Sequence, residues 1–177
     1  MPRYAVLLRG INVGRAKRIA MADLRALLAD LGGTDVRTLL QSGNVVLSAP
    51  AGPAELEAAV EEGIAERFGM DVRCLVRTAE ELRAVASANP FPDVEDGSRL
   101  MALFLSAVPD GALLAAHDPV AVDPGRVRSG DRVFYQWCPD GLMAAPAVGT
   151  YVEKHLGVAV TARNWNTVTK LVALLDA

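Results

Sequence analysis

The sequence predicts an α+β fold of two ferredoxin-like plait subdomains with a linking helix and a C-terminal helix. Short apolar runs typical of strands alternate with segments whose apolar residues recur every three or four positions, as on one face of a helix. The resulting order of elements, β-α-β-β-α-β, occurs twice along the chain, and this order is typical of the plait. The repetition lies in the order of elements, because the two halves show no clear repeat residue by residue.

The first plait subdomain is predicted to span residues 1–77. Its strands are predicted at residues 3–9, 36–41, 45–48 and 71–77. The first helix follows from the spacing of Leu24, Leu27, Leu28 and Leu31. The second helix begins at Pro53, which suits a first helical turn, and ends at Gly69, which suits a left-handed cap.

Residues 78–98 are predicted to be a linking helix and loop, and residues 99–163 the second plait subdomain. Thr78 and Glu81 have the spacing of a capping box, and the helix they begin stops before Pro90. The second subdomain has predicted strands at residues 99–106, 120–128, 132–137 and 158–163, and predicted helices at 109–117 and 147–156. Residues 164–177 are predicted to form a C-terminal helix that packs on the sheets, with Asn164 or Asn166 as its cap.

The composition is that of a well-buried globular protein, with 51% hydrophobic and 22% charged residues among 177. No run approaches the roughly 18 apolar residues that cross a bilayer. The N-terminus has no pattern of a cleaved signal, so we expect a cytoplasmic protein without a membrane partner. No cofactor or metal is predicted, because neither cysteine belongs to a CxxC pair and no metal-ligand spacing occurs.

Residues 9–18, which we call the basic loop, are the first candidate for ligand binding. Residues 1–22 carry five cations and no acid, although the net charge of the chain is −3. Glycines allow backbone amides to approach a ligand closely, and the loop leads towards a helix N-terminus, which favours anions. The candidate residues here are Arg9, Gly10, Asn12, Gly14, Arg15 and Lys17. A solvated loop without a ligand is the alternative, since the spacing is neither that of a Walker loop nor GxGxxG.

Two further polar strings follow predicted strands. In the first string, the candidate residues Gln41, Ser42 and Asn44 would bind a ligand through hydrogen bonds. Such residues also build hairpin turns by themselves, which is the alternative. In the second, Arg163, Asn164 and Asn166 surround a tryptophan, and an arginine beside a helix N-terminus is unfavourable unless an acid offsets it. We predict that the three strings converge on one cleft that holds a small phosphate- or carboxylate-bearing ligand.

Two other functions stay open at this point. A nucleic-acid-binding module would use the same basic loop, and its binding would weaken steeply with salt. A homo-oligomeric interaction protein would use sheet edges or a hairpin. No acid, base or nucleophile can be named, so the catalytic residues are unknown and the sequence does not decide whether the chain is an enzyme.

The strings themselves resemble an uncharacterised bacterial family, domain of unknown function 1697. The resemblance is carried by LLRGINVG at residues 7–14, QSGNVV at 41–46 and RNWNTVTKL at 163–171, with VRTAEEL at 76–82 and NPF at 89–91. It implies a soluble α/β protein with plait-like subdomains, and it implies no established activity.

Overall fold

The computed structural model describes residues 1–177, which form two four-stranded antiparallel sheets and six α-helices. This confirms the predicted mixture of helices with antiparallel sheets. The chain divides into two compact units. The first contains Met1–Arg83 and Leu171–Ala177, and the second contains Ala84–Lys170. The helices α3 (Ala79–Ser87) and α6 (Trp165–Asp176) therefore have residues in both units.

The first unit has the element order β-α-β-β-α-β. Its elements are β1 (Arg3–Leu8), α1 (Met21–Asp30), β2 (Thr34–Leu39), β3 (Asn44–Ser48), α2 (Pro53–Phe68) and β4 (Cys74–Thr78). The strand order in the sheet is β2-β3-β1-β4, and every neighbouring pair is antiparallel. The helices bury their predicted apolar faces against the sheet, and Leu24, Leu28, Val60 and Ile64 are almost completely buried. Gly69 ends α2 with a left-handed φ of 65°, as predicted.

The second unit repeats this order. Its elements are β5 (Leu100–Leu105), α4 (Gly111–Ala116), β6 (Val127–Gly130), β7 (Val133–Trp137), α5 (Val148–Leu156) and β8 (Val160–Asn164). The strand order is β6-β7-β5-β8, again fully antiparallel. The side chains of Leu103, Leu105, Phe134, Val152 and Leu156 lie in its core.

Two local predictions about helix ends are confirmed. The backbone N–H of Thr78 donates to Glu81 Oε2 over 2.9 Å, and the N–H of Glu81 donates to Thr78 Oγ1 over 3.0 Å, which is the reciprocal capping box. At the start of α6, Asn164 Oδ1 accepts a hydrogen bond of 3.0 Å from the Thr167 N–H. Asn164 therefore caps α6, which settles the choice between the two asparagines.

The strand predicted at residues 120–128 was wrong. Pro119–Val122 forms a 3-10 turn, and β6 is confined to Val127–Gly130. Asp118 caps this turn by accepting from the Val120 N–H over 3.0 Å, and Pro119 supplies the fixed φ of a first helical position. The hairpin turn also lies later than predicted, at Asp131 and Arg132, because β6 continues to Gly130.

One buried hydroxyl in the second unit predicts a stabilising substitution. Thr161 on β8 is 1% exposed, and its Oγ1 forms no hydrogen bond with another protein group. Thr161→Val keeps the shape and removes the unsatisfied polar atom, so we expect the free energy of unfolding to rise by about 1 kcal/mol. Urea unfolding measures the change.

The matched control is Thr78→Val, which makes the same chemical change at a hydroxyl that is bonded in a helix cap. That variant is expected to lose about 1 kcal/mol. A loss of stability in Thr161→Val would contradict the interpretation that the buried Oγ1 of Thr161 is an unsatisfied polar atom.

Candidate functional site

The basic loop folds into a small hairpin of its own. The N–H of Asn12 donates to the carbonyl of Lys17 over 3.0 Å, and Val13 and Ala16 form an isolated antiparallel bridge. Gly10 and Gly14 have positive φ values of 71° and 61°, and Asn12 and Lys17 also adopt left-handed conformations. Left-handed backbone at two non-glycine residues costs free energy, and such positions cluster at ligand-binding segments.

The side chain of Asn12 joins the basic loop to the turn that follows β2. Its Nδ2 donates to the carbonyls of Ile19, over 2.9 Å, and Gln41, over 2.8 Å, while its Oδ1 accepts from the Ile19 N–H over 2.9 Å. The structure therefore brings the first two predicted strings together. All three hydrogen bonds are made with backbone groups of the chain, so the side chain of Asn12 stabilises the fold here.

The turn at residues 41–44 is built mainly by its own groups. Asn44 is fully buried, and its Nδ2 donates to the Leu39 carbonyl and to Ser42 Oγ, over 3.1 and 2.9 Å. Gly43 has a φ of 86° and presses against Leu8 and Ile11, where an added Cβ would lie 2.7 Å from Leu8 Cβ. Gln41 and Ser42 remain exposed. The turn positions the basic loop, and its direct contact with a ligand stays a prediction.

A cavity of about 500 Å³ lies beside the basic loop in the first unit. Its lining residues are Arg9, Gly10, Lys17, Glu61, Asp71 and Arg73. The Arg9 N–H donates to the Arg73 carbonyl over 3.0 Å, so these two arginines are neighbours just beyond the last paired residues of β1 and β4. Lys17 Nζ donates to the Asp71 carbonyl over 2.6 Å, which fixes the ammonium at the cavity wall.

The charges around this cavity are mixed, with three cations and two carboxylates. One carboxylate is already engaged, since Glu61 Oε1 accepts from the Cys74 N–H over 2.9 Å. Arg73 was not predicted as a site residue, because residues 71–77 were interpreted only as a strand. Its position follows from the pairing of β1 with β4, because Leu8 is opposite Cys74.

The other cations of the basic loop are placed differently. Arg18 Nη1 donates to the carbonyls of Asn12 and Gly14, over 3.4 and 3.2 Å, and so supports the loop backbone. Arg15 is exposed at the tip of the small hairpin, next to Gly14, and neither residue is among those lining the cavity.

The third string lies in the second unit. Arg163 Nη1 donates to the Ala162 carbonyl over 2.8 Å, and burial lowers the pKa of this guanidinium to about 10. Asn164 is occupied as the cap of α6, and the side chain of Asn166 lies against Gly97, where a Cβ would collide with it. Convergence of this string with the other two stays a prediction.

Comparison with known proteins defines the family. Residues 1–135 match the family described as "Protein of unknown function (DUF1697)". The chain belongs to this family. The match confirms the resemblance drawn from the polar strings, and no curated protein matches the sequence.

A solved structure of another protein has a fold similar to that of this chain. The chain is similar to the conserved bacterial protein SP0830 from Streptococcus pneumoniae, with 24% identity, a TM-score of 0.72 and 98% of each chain covered. At this level of identity the similarity shows the fold alone.

The side chains that could act as nucleophiles or metal ligands are either buried or not grouped together. Cys74 and Cys138 are both free thiols in the interior, and burial raises the pKa of each, so neither is a ready nucleophile. No three of the histidine, cysteine, aspartate and glutamate side chains are grouped to hold a metal ion. None of the helices has the length and apolar character to cross a bilayer.

The packing of Gly43 predicts how strongly the turn supports the basic loop. Gly43→Ala adds a Cβ against Leu8 at a left-handed position, so we expect the free energy of unfolding to fall by about 3 kcal/mol. Gly14→Ala is the control, because it has the same sign of φ but open space around the new Cβ. It is expected to cost about 1 kcal/mol. Equal losses in denaturant unfolding would show that the contact with Leu8 is unimportant.

Proposed function

We propose that this protein binds a small anionic ligand, bearing a phosphate or carboxylate group, in the cavity lined by Arg9, Gly10, Lys17 and Arg73. The observation that carries the proposal is the placement of Arg9 next to Arg73 where β1 and β4 stop pairing. Like charges on neighbouring strand positions are destabilising. An anion between the two guanidinium groups would accept charge-assisted hydrogen bonds from both, and arginine forms such bonds in bidentate geometry.

The backbone of the basic loop supports the same ligand class. Gly10 lines the cavity with a φ of 71°, so its backbone reaches the wall without an intervening side chain. Lys17 is held at the opposite end of the loop by its hydrogen bond to the Asp71 carbonyl. The backbone bond between Asn12 and Lys17 closes the loop at the left-handed Lys17, so both Gly10 and Lys17 are held beside the cavity.

The cavity also limits the size and the chemical character of the ligand. Its volume of about 500 Å³ lies within the range of small-molecule sites. Glu61 and Asp71 reduce the positive charge of the lining, and their carboxylates would accept hydrogen bonds from hydroxyl or amino groups on the same ligand. We further infer that each unit is a ferredoxin-like plait, since both have the element order and strand order of that fold.

The test is a thermal-shift and calorimetric titration of the purified protein with inorganic phosphate, pyrophosphate and citrate. A probe at 100 times its dissociation constant should stabilise the protein by about 2.7 kcal/mol. Arg73→Ala should weaken binding by about tenfold or more, because a charge-assisted hydrogen bond is lost. The same variant without ligand should keep the stability of the native protein, because residue 73 is exposed and its carbonyl still accepts from the Arg9 N–H.

Arg15→Ala is the matched control, because it removes the same charge from the same loop at a position outside the cavity. Affinity should change little in this variant. Equal weakening by Arg15→Ala and Arg73→Ala would mean that the probes respond to overall charge, and a complete lack of stabilisation would reject the site. A short single-stranded RNA that binds, with steep salt dependence, would instead favour the nucleic-acid function.

A further inference from the structure

A second cavity, of about 540 Å³, lies in the second unit and has a different chemical character. We call it the aromatic groove, and its apolar walls are Pro90, Phe91, Pro92, Trp137 and Pro139. The rings of Phe91 and Trp137 are 6.3 Å apart between centroids and inclined by 42°. Its volume is within the range of sites for small organic molecules.

Both aromatic walls are fixed by the backbone. Asn89 Oδ1 accepts from the Phe91 N–H over 2.8 Å, which sets the turn between the two prolines. Trp137 ends β7 opposite Leu100, and its N–H donates to the Arg126 carbonyl over 2.8 Å. The backbone that carries each ring is therefore held in place before any ligand arrives, which lowers the entropy cost of binding.

The charged residues of the groove leave an excess of negative charge. Asp96 and Arg99 neutralise each other at 3.5 Å, and Arg99 also donates to the Pro139 carbonyl. Asp96 additionally accepts from the Ser98 N–H, so it is committed to the local turn. Asp93 and Glu95 line the groove, are exposed and form no ion pair. Among the residues that line the groove, these two carboxylates have no cation paired with them.

The same two rings already attract cations of the chain. The guanidinium carbon of Arg128 lies 5.7 Å from the centroid of Phe91, and that of Arg126 lies 6.0 Å from the centroid of Trp137. Neither arginine is among the residues that line the groove. Each ring therefore already lies within cation–π distance of an arginine of the chain, and a ligand cation would be held by the carboxylates of the groove.

We propose that the aromatic groove binds a small organic cation, an amine joined to a flat apolar body. The apolar body would lie between the prolines and against Phe91 and Trp137, and the ammonium group would be held by Asp93 and Glu95. This site would lie within the second unit and does not depend on anion binding in the first. The carboxylates of Asp93 and Glu95 would repel a phosphate or carboxylate placed beside them, which separates the two ligand classes.

The test compares three probes that share one ring system and differ in charge, namely tryptamine, the neutral alcohol tryptophol and the anion indole-3-propionate. Binding is followed by calorimetry and by the indole N–H resonance of Trp137 in the full chain, assigned with Trp137→Phe. Tryptamine should bind about fivefold more tightly than tryptophol, as expected for an exposed ion pair, and indole-3-propionate should bind most weakly. The Trp137 resonance should shift with saturation on adding tryptamine.

The carboxylates are tested by the double variant Asp93→Asn/Glu95→Gln, which should bind tryptamine and tryptophol equally. Glu66→Gln/Asp131→Asn changes the net charge by the same amount at exposed residues outside the groove, and it should keep the native preference. Thermal unfolding of both double variants shows that they are folded. Equal affinity of the native chain for the three probes, an identical loss of preference in both double variants, or no binding of tryptamine would overturn the proposal.

Discussion

The pairing of β1 with strands on both sides is the constraint on which the first unit depends. Residues 4–8 are at most 2% exposed, so each of their backbone groups must find a partner in the sheet. The register that satisfies them places Tyr4 opposite Thr78 and Leu8 opposite Cys74. The first pair leads into the capping box of α3, and the second brings Arg9 beside Arg73. A slip of one residue would replace Tyr4, Val6 and Leu8 in the core shared with α1 and α2 by Ala5 and Leu7, so the position of the candidate site is determined by the packing of the strand.

Features that depend on nearby residues could be predicted from the sequence. Helix α2 begins at Pro53 and stops at Gly69 because both residues act on their own backbone angles. The segment at residues 120–128 was different, since Val120 and Val122 alternate as in a strand. They are partly buried against the second core, but Asp118 holds them in a 3-10 turn. An alternation of apolar residues in the sequence indicates that they are buried. It does not distinguish a strand from a short turn that packs on the same core.

The candidate site was predictable only in part, because its members come from segments distant in sequence. The basic loop was evident from its glycines and cations, whereas Arg73 joins it through the pairing of β4 with β1. The hydrogen bonds of Asn12 to Ile19 and Gln41 show that a polar side chain in a candidate string can serve the fold. The aromatic groove could not be predicted for the same reason, since Phe91 and Trp137 belong to segments that are distant in sequence.

We propose that Arg9, Lys17 and Arg73 act together on one anion. The most direct measurement is a titration of the isotope-labelled protein with inorganic pyrophosphate, followed by the backbone amide resonances. We expect saturable shifts that are largest at Arg9, Gly10, Lys17 and Arg73, with one common dissociation constant. Shifts that grow linearly without saturation, or saturable shifts confined to other parts of the chain, would contradict it.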